Sequence, residues 1–285
     1  MTAAKSTAVR AVAAAAAAWC AAALLAGCGA AHGDTGEQAA PAAAADPAAV
    51  VRGAADALAR AGGSAVGTSL RMASGGTWVT VTGSGRYDYA HGQGTLTLVL
   101  PSDAAGAQEH PPVTELLTPG ALYMKNRGAG VPADKWVRVD ITALPDGNLV
   151  TGGATDPLAA ARLLRGVLDV RFAGEQTLGG VRVRHLTGTL DIAGAARASG
   201  PRPPAALAAA ARGFAVGRVP FDAWVDAEGR PARVTLRYAY GPARRTVEVV
   251  STTTYSAFGT AVPPLTLPPA ADIWAGKIVS SPAAG

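Results

Sequence analysis

The chain has 285 residues, 25 Lys and Arg against 20 Asp and Glu, 49% apolar residues and only 5% aromatic. The apolar fraction excludes a wholly disordered chain, and glycines without a three-residue period exclude collagen. Two cysteines are too few for a disulfide scaffold or a four-cysteine zinc site. Lysine occurs only at Lys5, Lys125, Lys135 and Lys277, and an arginine bias alongside abundant Ala and Gly follows from GC-rich coding as readily as from function. The formal +5 therefore gives no reason to expect a nucleic-acid partner.

Lys5 and Arg10 precede an uncharged run over 11–26. A basic start, a short apolar run and small residues before a cleavage point predict a signal peptide over 1–27. Sixteen Ala-rich residues are short for a membrane-spanning helix. The closing Leu25-Ala26-Gly27-Cys28 resembles the lipobox of bacterial lipoproteins, in which the cysteine takes a diacylglyceryl group and further acyl chains such as palmitate. That resemblance implies lipidation at Cys28 and an anchor on the extracytoplasmic face of the cell membrane, where two chains hold firmly and one is marginal. The other reading is an ordinary secretory signal that contains Cys28. Cleavage before Cys28 discards Cys20, so an anchored chain keeps no thiol for a disulfide, a nucleophile or a metal.

Residues 28–47 are rich in Ala, Gly and polar groups and read as a flexible tether. Asp46-Pro47 then caps a helix whose Val50, Val51, Ala54 and Leu58 recur at helical spacing, stopped by Gly62-Gly63. From there the period is two. Strand candidates lie at 64–72 and 78–89, with Ser74-Gly75-Gly76 as the hairpin turn between them. In the second, Val79, Val81, Tyr87 and Tyr89 share a face, and Gly83-Ser84-Gly85 marks a bend or bulge. Further strands are expected at 95–100, 114–117, 121–125 and 136–141. The segment 143–155 is a long Gly-rich loop, a flap at the mouth of any cavity. Asp156-Pro157 caps a second helix with Leu158, Leu164, Val167 and Leu168 on its buried side. A second run of strands follows at 170–176, 181–192, 219–226, 232–240 and 245–255, with a short Ala-rich helix from Pro203 through Ala211. Proline pairs keep the chain from Pro263 extended. Ten or eleven antiparallel strands, three helices and no βαβ rhythm predict an α+β fold, one curved sheet with helices on one face.

The order of lipobox, tether and helix is followed by Val81-Thr82-Gly83-Ser84-Gly85 with Tyr87, then Leu122-Tyr123-Met124-Lys125 and Trp136-Val137-Arg138-Val139-Asp140. After these come Gly179-Gly180-Val181 leading to Val183-Arg184-His185-Leu186, and 219–231 running from Val219-Pro220-Phe221 through Trp224-Val225-Asp226 to Gly229-Arg230-Pro231. In this pattern, over roughly 48–270, the chain resembles the actinobacterial LppX/LprA/LprF/LprG lipoproteins, relatives of the LolA-type carriers. The resemblance implies a half-barrel domain over 48–275 with a short tail at 276–285, its strongly bent sheet enclosing a hydrophobic cavity under helices on the concave side. It implies binding of lipid or glycolipid acyl chains and their movement through the cell envelope.

Candidate cavity walls are Val79, Val81, Leu96, Leu98, Leu100, Val234 and Leu236 from the sheet, with Leu164 and Leu168 from the helix. The same residues would equally form a filled core, in which case the domain is a non-catalytic interaction or sensor module. No constellation for catalysis is present, so no enzyme, cofactor or metal is expected, and the domain is expected to be a monomer. Asp226 and Glu228 fall on an exposed turn and read as structural rather than as an acid–base pair. Of His32, His91, His110 and His185 only the last lies within a strand, where a lone histidine is most simply hydrogen-bonded and structural. Arg233, Arg237, Arg244 and Arg245 gather on the final hairpin, away from its apolar side. They read as a solvated face or as a contact for anionic lipid headgroups.

Overall fold

The computed structural model describes residues 46–275, apart from 75, 102–110, 129, 203, 215 and 241–245. The expected signal, Cys28, nearly all of the tether, the 276–285 tail, His32, His110, Arg244 and Arg245 lie outside the described residues. No helix among the described residues is long and apolar enough to cross a membrane.

Helix α1, Pro47–Ala61, begins where the sequence places it. The Asp46 carboxylate accepts from the Ala48 amide at 3.0 Å, with proline in the first turn. Val51, Ala54, Ala55 and Leu58 form its buried side. Eleven strands follow: β1 Gly63–Ser74, β2 Thr77–Asp88, β3 Gln93–Val99, β4 Val113–Leu117, β5 Ala121–Lys125, β6 Trp136–Asp140, β7 Val167–Leu178, β8 Val181–Asp191, β9 Arg218–Val225, β10 Pro231–Tyr240 and β11 Val247–Ser256. They make one antiparallel sheet in the order β6-β5-β4-β3-β2-β1-β11-β10-β9-β8-β7. Two meanders thus meet where β1 pairs with β11, from Ala65 opposite Ser256 to Met72 opposite Val249. The sheet is open, with β6 and β7 as its edges, and the α+β half-barrel expected from the sequence is what forms.

Alternation decides which face is covered. Phe221, Ala223 and Val225 on β9, and Val234, Leu236 and Tyr238 on β10, are buried in the core with Leu96 and Leu98 of β3. Over this concave face pack α1, α2 (Pro157–Leu163), α3 (Ile192–Ala198) and α4 (Ala205–Gly213). Helix α3 is not among the sequence expectations; Asp191 caps it, Oδ2 accepting from the Gly194 amide at 2.6 Å. Helix α2 is shorter than its periodicity suggests. It gives way to a 3-10 turn at Leu164–Gly166, and Val167 already opens β7.

Gly83-Ser84-Gly85 carries no bulge, since β2 keeps unbroken register with β1 and β3. The glycine is required by close approach: a Cβ at Gly85 would lie 1.8 Å from the Thr95 carbonyl oxygen. The register shifts fall instead between Val167 and Asp169 and between Phe172 and Gly174 in β7, and between Pro231 and Arg233 in β10. Beyond β11 the chain runs extended past the outer face, where Val262–Thr266 share a groove with Ser84, Arg86, Thr95 and Thr97. It ends against the β6 edge, the Trp274 amide donating to the Trp136 carbonyl at 2.7 Å and Lys135 Nζ to the Ala271 carbonyl at 3.1 Å.

Candidate functional site

The 143–155 loop is no flap at a mouth. It plugs the middle of the concave face, with Leu149 and Val150 in the core. Asp146, wholly buried, makes this possible by taking up the loop's own amides. Its Oδ1 accepts from Asn148 at 3.2 Å, and its Oδ2 from Val150 at 2.8 Å and Thr151 at 2.7 Å. Thr155 Oγ1 donates to the Leu149 carbonyl at 2.6 Å and meets Ser251 Oγ at 2.7 Å. At Gly147 the backbone has φ 58°, and a Cβ there would strike the Ala206 carbonyl at 2.0 Å, so this turn admits only glycine against α4.

Two cavities among the described residues border the plug, one at Gly147 and Asn148 and one at 151–153. The larger, about 310 Å³, is walled by Leu117, Leu122 and Ile141, by Ala159 of α2 and Leu207 of α4, and by Asn148 of the plug. Its polar lining also includes Tyr87, Tyr89, His91, Asp156 and Arg162. The smaller, about 140 Å³, is lined by Val81, Leu98, Leu100, Val113, Met124, Arg127 and the 151–153 backbone.

The polar lining of the larger cavity is internally organised. Tyr87 Oη donates to Asp156 Oδ2 at 2.8 Å, while Asp156 Oδ1 caps α2 by accepting from the Ala159 amide at 2.7 Å. Tyr89 Oη lies 2.6 Å from Ser64 Oγ, and the rings of Tyr87 and Tyr89 sit 5.2 Å apart. Burial pushes the Asp156 carboxyl up, against the Ala159 and Tyr87 hydrogen bonds and the Arg162 charge. Burial also pushes the phenols of Tyr87 and Tyr89 up, so both stay neutral. On β4, Glu115 faces inward at 1% exposure, opposite Leu96 and Met124, with Oε1 unpartnered among the described residues. Burial pushes its carboxyl up to about 8, the Arg127 charge opposing and Asp156 adding to it.

The wall residues expected from the sequence separate into three groups. Val81, Leu98 and Leu100 line the smaller cavity. Leu96, Leu164, Val234 and Leu236 are buried in the core and line neither cavity, and Val79 is half-buried near the β1–β2 turn. Leu168 is corrected: it stands in β7, half exposed, because the helix ends at Leu163. Sequence reasoning missed most of the larger cavity, although the shared face of Tyr87 and Tyr89 with Val79 and Val81 pointed to it.

Asp226 is also corrected. It is buried rather than exposed, Oδ1 accepting from the Glu228 and Arg230 amides and Oδ2 from Arg230 Nε at 2.7 Å, which closes the β9–β10 turn. On the outer face His185 stacks on Trp224 with centroids 4.4 Å apart, and its Nε2 lies 2.8 Å from Asp222 Oδ1. Arg237 donates to Asp222 Oδ2 at 2.7 Å, and Arg233 lies over the Trp224 ring at 5.2 Å. Burial works to raise the Asp222 carboxyl, but the Arg237 and His185 hydrogen bonds outweigh it and hold the group below its ordinary range. Among the described residues no group of three or more His, Cys, Asp or Glu side chains is placed to hold a metal. The arrangement offers burial of apolar surface beside fixed hydrogen-bonding groups.

No protein-family model and no curated protein sequence matches the chain. Among solved structures it is similar to the lipoprotein LppX of Mycobacterium tuberculosis, at 15% identity and TM-score 0.43, covering 76% of this chain and 96% of that one. It is similar to LprF of Mycobacterium bovis at 14% identity and TM-score 0.39, covering 78% and 96%. A LolA superfamily protein of Nitrosomonas europaea follows at 12% identity and TM-score 0.33, covering 77% and 96%. The family that the sequence resembles is thus represented among the similar folds. All three scores lie below 0.5, and the functional reading rests on the chain's own residues.

Proposed function

We propose that this protein is a lipoprotein, anchored through Cys28 to the extracytoplasmic face of the membrane, that holds acyl chains of a lipid or glycolipid within the half-barrel and carries or presents them in the cell envelope. The observation that supports it most is the 310 Å³ cavity between the sheet, α2 and α4, lined by apolar side chains together with a few polar ones. Small-molecule sites run from about 300 to 1,000 Å³, so the space suits a single chain. Binding proceeds by burying chain surface, at about 25 cal/mol per Å², and no covalent step is needed.

Native mass spectrometry of the gently purified protein tests this reading. A lipid adduct, or uptake of lipid offered to the bare protein, is expected; a bare mass with no uptake overturns it. Fractionation of Cys28→Ala tests the anchor, and undiminished membrane retention would refute it. A second reading, a non-catalytic interaction or sensor module, is favoured by the plug that fills the middle of the concave face. It is the outcome that a failed uptake experiment selects.

A further inference from the structure

Besides its tyrosines, the larger cavity is lined by three side chains of ionisable type: His91, Asp156 and Arg162. Two of them are committed. His91 Nδ1 lies 2.7 Å from Asp88 Oδ2, and both oxygens of Asp156 are taken, by Tyr87 Oη and the Ala159 amide. Arg162, half-buried in the last turn of α2, has no ion pair and no side-chain hydrogen bond among the described residues. Arg165 and Arg230, also part-buried, are engaged with Asp56 and with Asp226 and Glu228, while Arg184, which like Arg162 has no such partner among the described residues, stands on β8 and lines neither cavity. A guanidinium whose donors meet no hydrogen-bond acceptor among the described residues, at the wall of a largely apolar cavity, is a receptor for a planar or tetrahedral oxyanion.

We infer that the cavity takes a single-chain amphiphile with an anionic oxygen head, a carboxylate or a phosphate, held by Arg162 while the chain lies along Leu117, Leu122, Ile141 and Leu207. The inference rests on the lipid-binding reading and names its ligand class. The neighbouring Asp156 does not cancel the cation. Its carboxylate is turned to Tyr87 and the α2 amide, it forms no ion pair with Arg162, and burial favours its neutral form. The volume argues for one chain, since 310 Å³ stands at the low end of ligand sites.

The test is equilibrium dialysis of labelled palmitate, hexadecyl phosphate and hexadecanol, each below its micelle concentration, against the delipidated full chain carrying Cys28→Ala. The three probes share a chain and differ in the head. At least one anion is expected to bind about tenfold or more tightly than the alcohol, as a charge-assisted hydrogen bond allows. Whichever anion is preferred identifies the head. Arg162→Gln is expected to abolish the preference and leave alcohol binding unchanged, while Arg165→Gln, whose partner is Asp56, keeps it. Binding of both anions no tighter than the alcohol, or an Arg162→Gln loss shared by all three probes, overturns the head assignment and leaves lipid binding standing. Binding of none of the three overturns both.

Discussion

Replacing Glu115 by Gln should stabilise the protein at neutral pH, and the size of the gain follows from where the side chain sits. Glu115 is fixed by the alternation of β4, which turns Val113, Glu115 and Leu117 inward together. In the unfolded chain its carboxyl loses its proton near the ordinary 4.5; in the native state it holds the proton up to about 8. Between those values the native state binds the extra proton, so stability falls as pH rises. At about 1.4 kcal/mol per pH unit, the native state forfeits about 3 kcal/mol by pH 7 and about 5 above pH 8. Glutamine has the same shape and no charge to lose. Urea unfolding followed by tryptophan fluorescence at pH 5, 6, 7 and 8 should therefore show the two proteins close at pH 5 and Glu115→Gln ahead by about 3 kcal/mol at pH 7. For a domain of this size that corresponds to a Tm gain of about 6–12 °C. Carboxyls remote from Glu115 contribute to both proteins alike and cancel in the difference, and the Asp156 charge is already part of what raises Glu115. A difference independent of pH would refute the reasoning, because it would mean that Glu115 does not titrate out of a buried, neutral state.

Tyr87→Phe removes the donor to Asp156 Oδ2 and leaves a buried carboxyl short of a partner; a loss of about 1–3 kcal/mol in urea unfolding is expected, growing as pH rises and Asp156 ionises. Gly85→Ala drives a methyl into the Thr95 carbonyl, so soluble expression should fall sharply, whereas Gly53→Ala in α1, where a Cβ meets nothing within 4 Å, should be neutral or slightly stabilising. Ala206→Trp places an indole on the α4 wall of the larger cavity; lipid uptake by native mass spectrometry should drop while the unfolding midpoint holds, and unchanged uptake would move the binding site elsewhere.

Much of the sheet was legible from alternation, as in Phe221, Ala223 and Val225 against the outward Asp222 and Trp224. The turns were legible from residue type: Ser74 does pair with Thr77 across Gly75-Gly76. Periodicity failed at the junctions. Leu158, Leu164, Val167 and Leu168 keep helical spacing across a helix, a 3-10 turn and a strand, so spacing alone carried α2 too far. Helix α3 is Ala-rich, and its single large apolar residue, Ile192, reads as the end of the preceding strand. The site was the least visible part. Its polar residues are placed by contacts between distant segments, such as Tyr87 with Asp156 and Thr155 with Ser251, and Asp146 turns an apparently solvated Gly-rich loop inward by satisfying amides that no alternation pattern registers.

The meeting of β1 with β11 has a consequence for how the protein comes into being. The two strands join over eight residue pairs, yet they stand at opposite ends of the domain, and closing a loop on the order of 190 residues costs about 5 kcal/mol by (3/2)RT ln n. Each meander can assemble from neighbours, but the seam between them waits for the last strand. As synthesis proceeds from the N-terminus, β1 exposes an unpaired backbone edge, with Val66 and Leu70 beside it, until β11 has been made. An incomplete chain is therefore open to aggregation along its most central strand, and the cooperative step of folding is the knitting of the chain's beginning to its end.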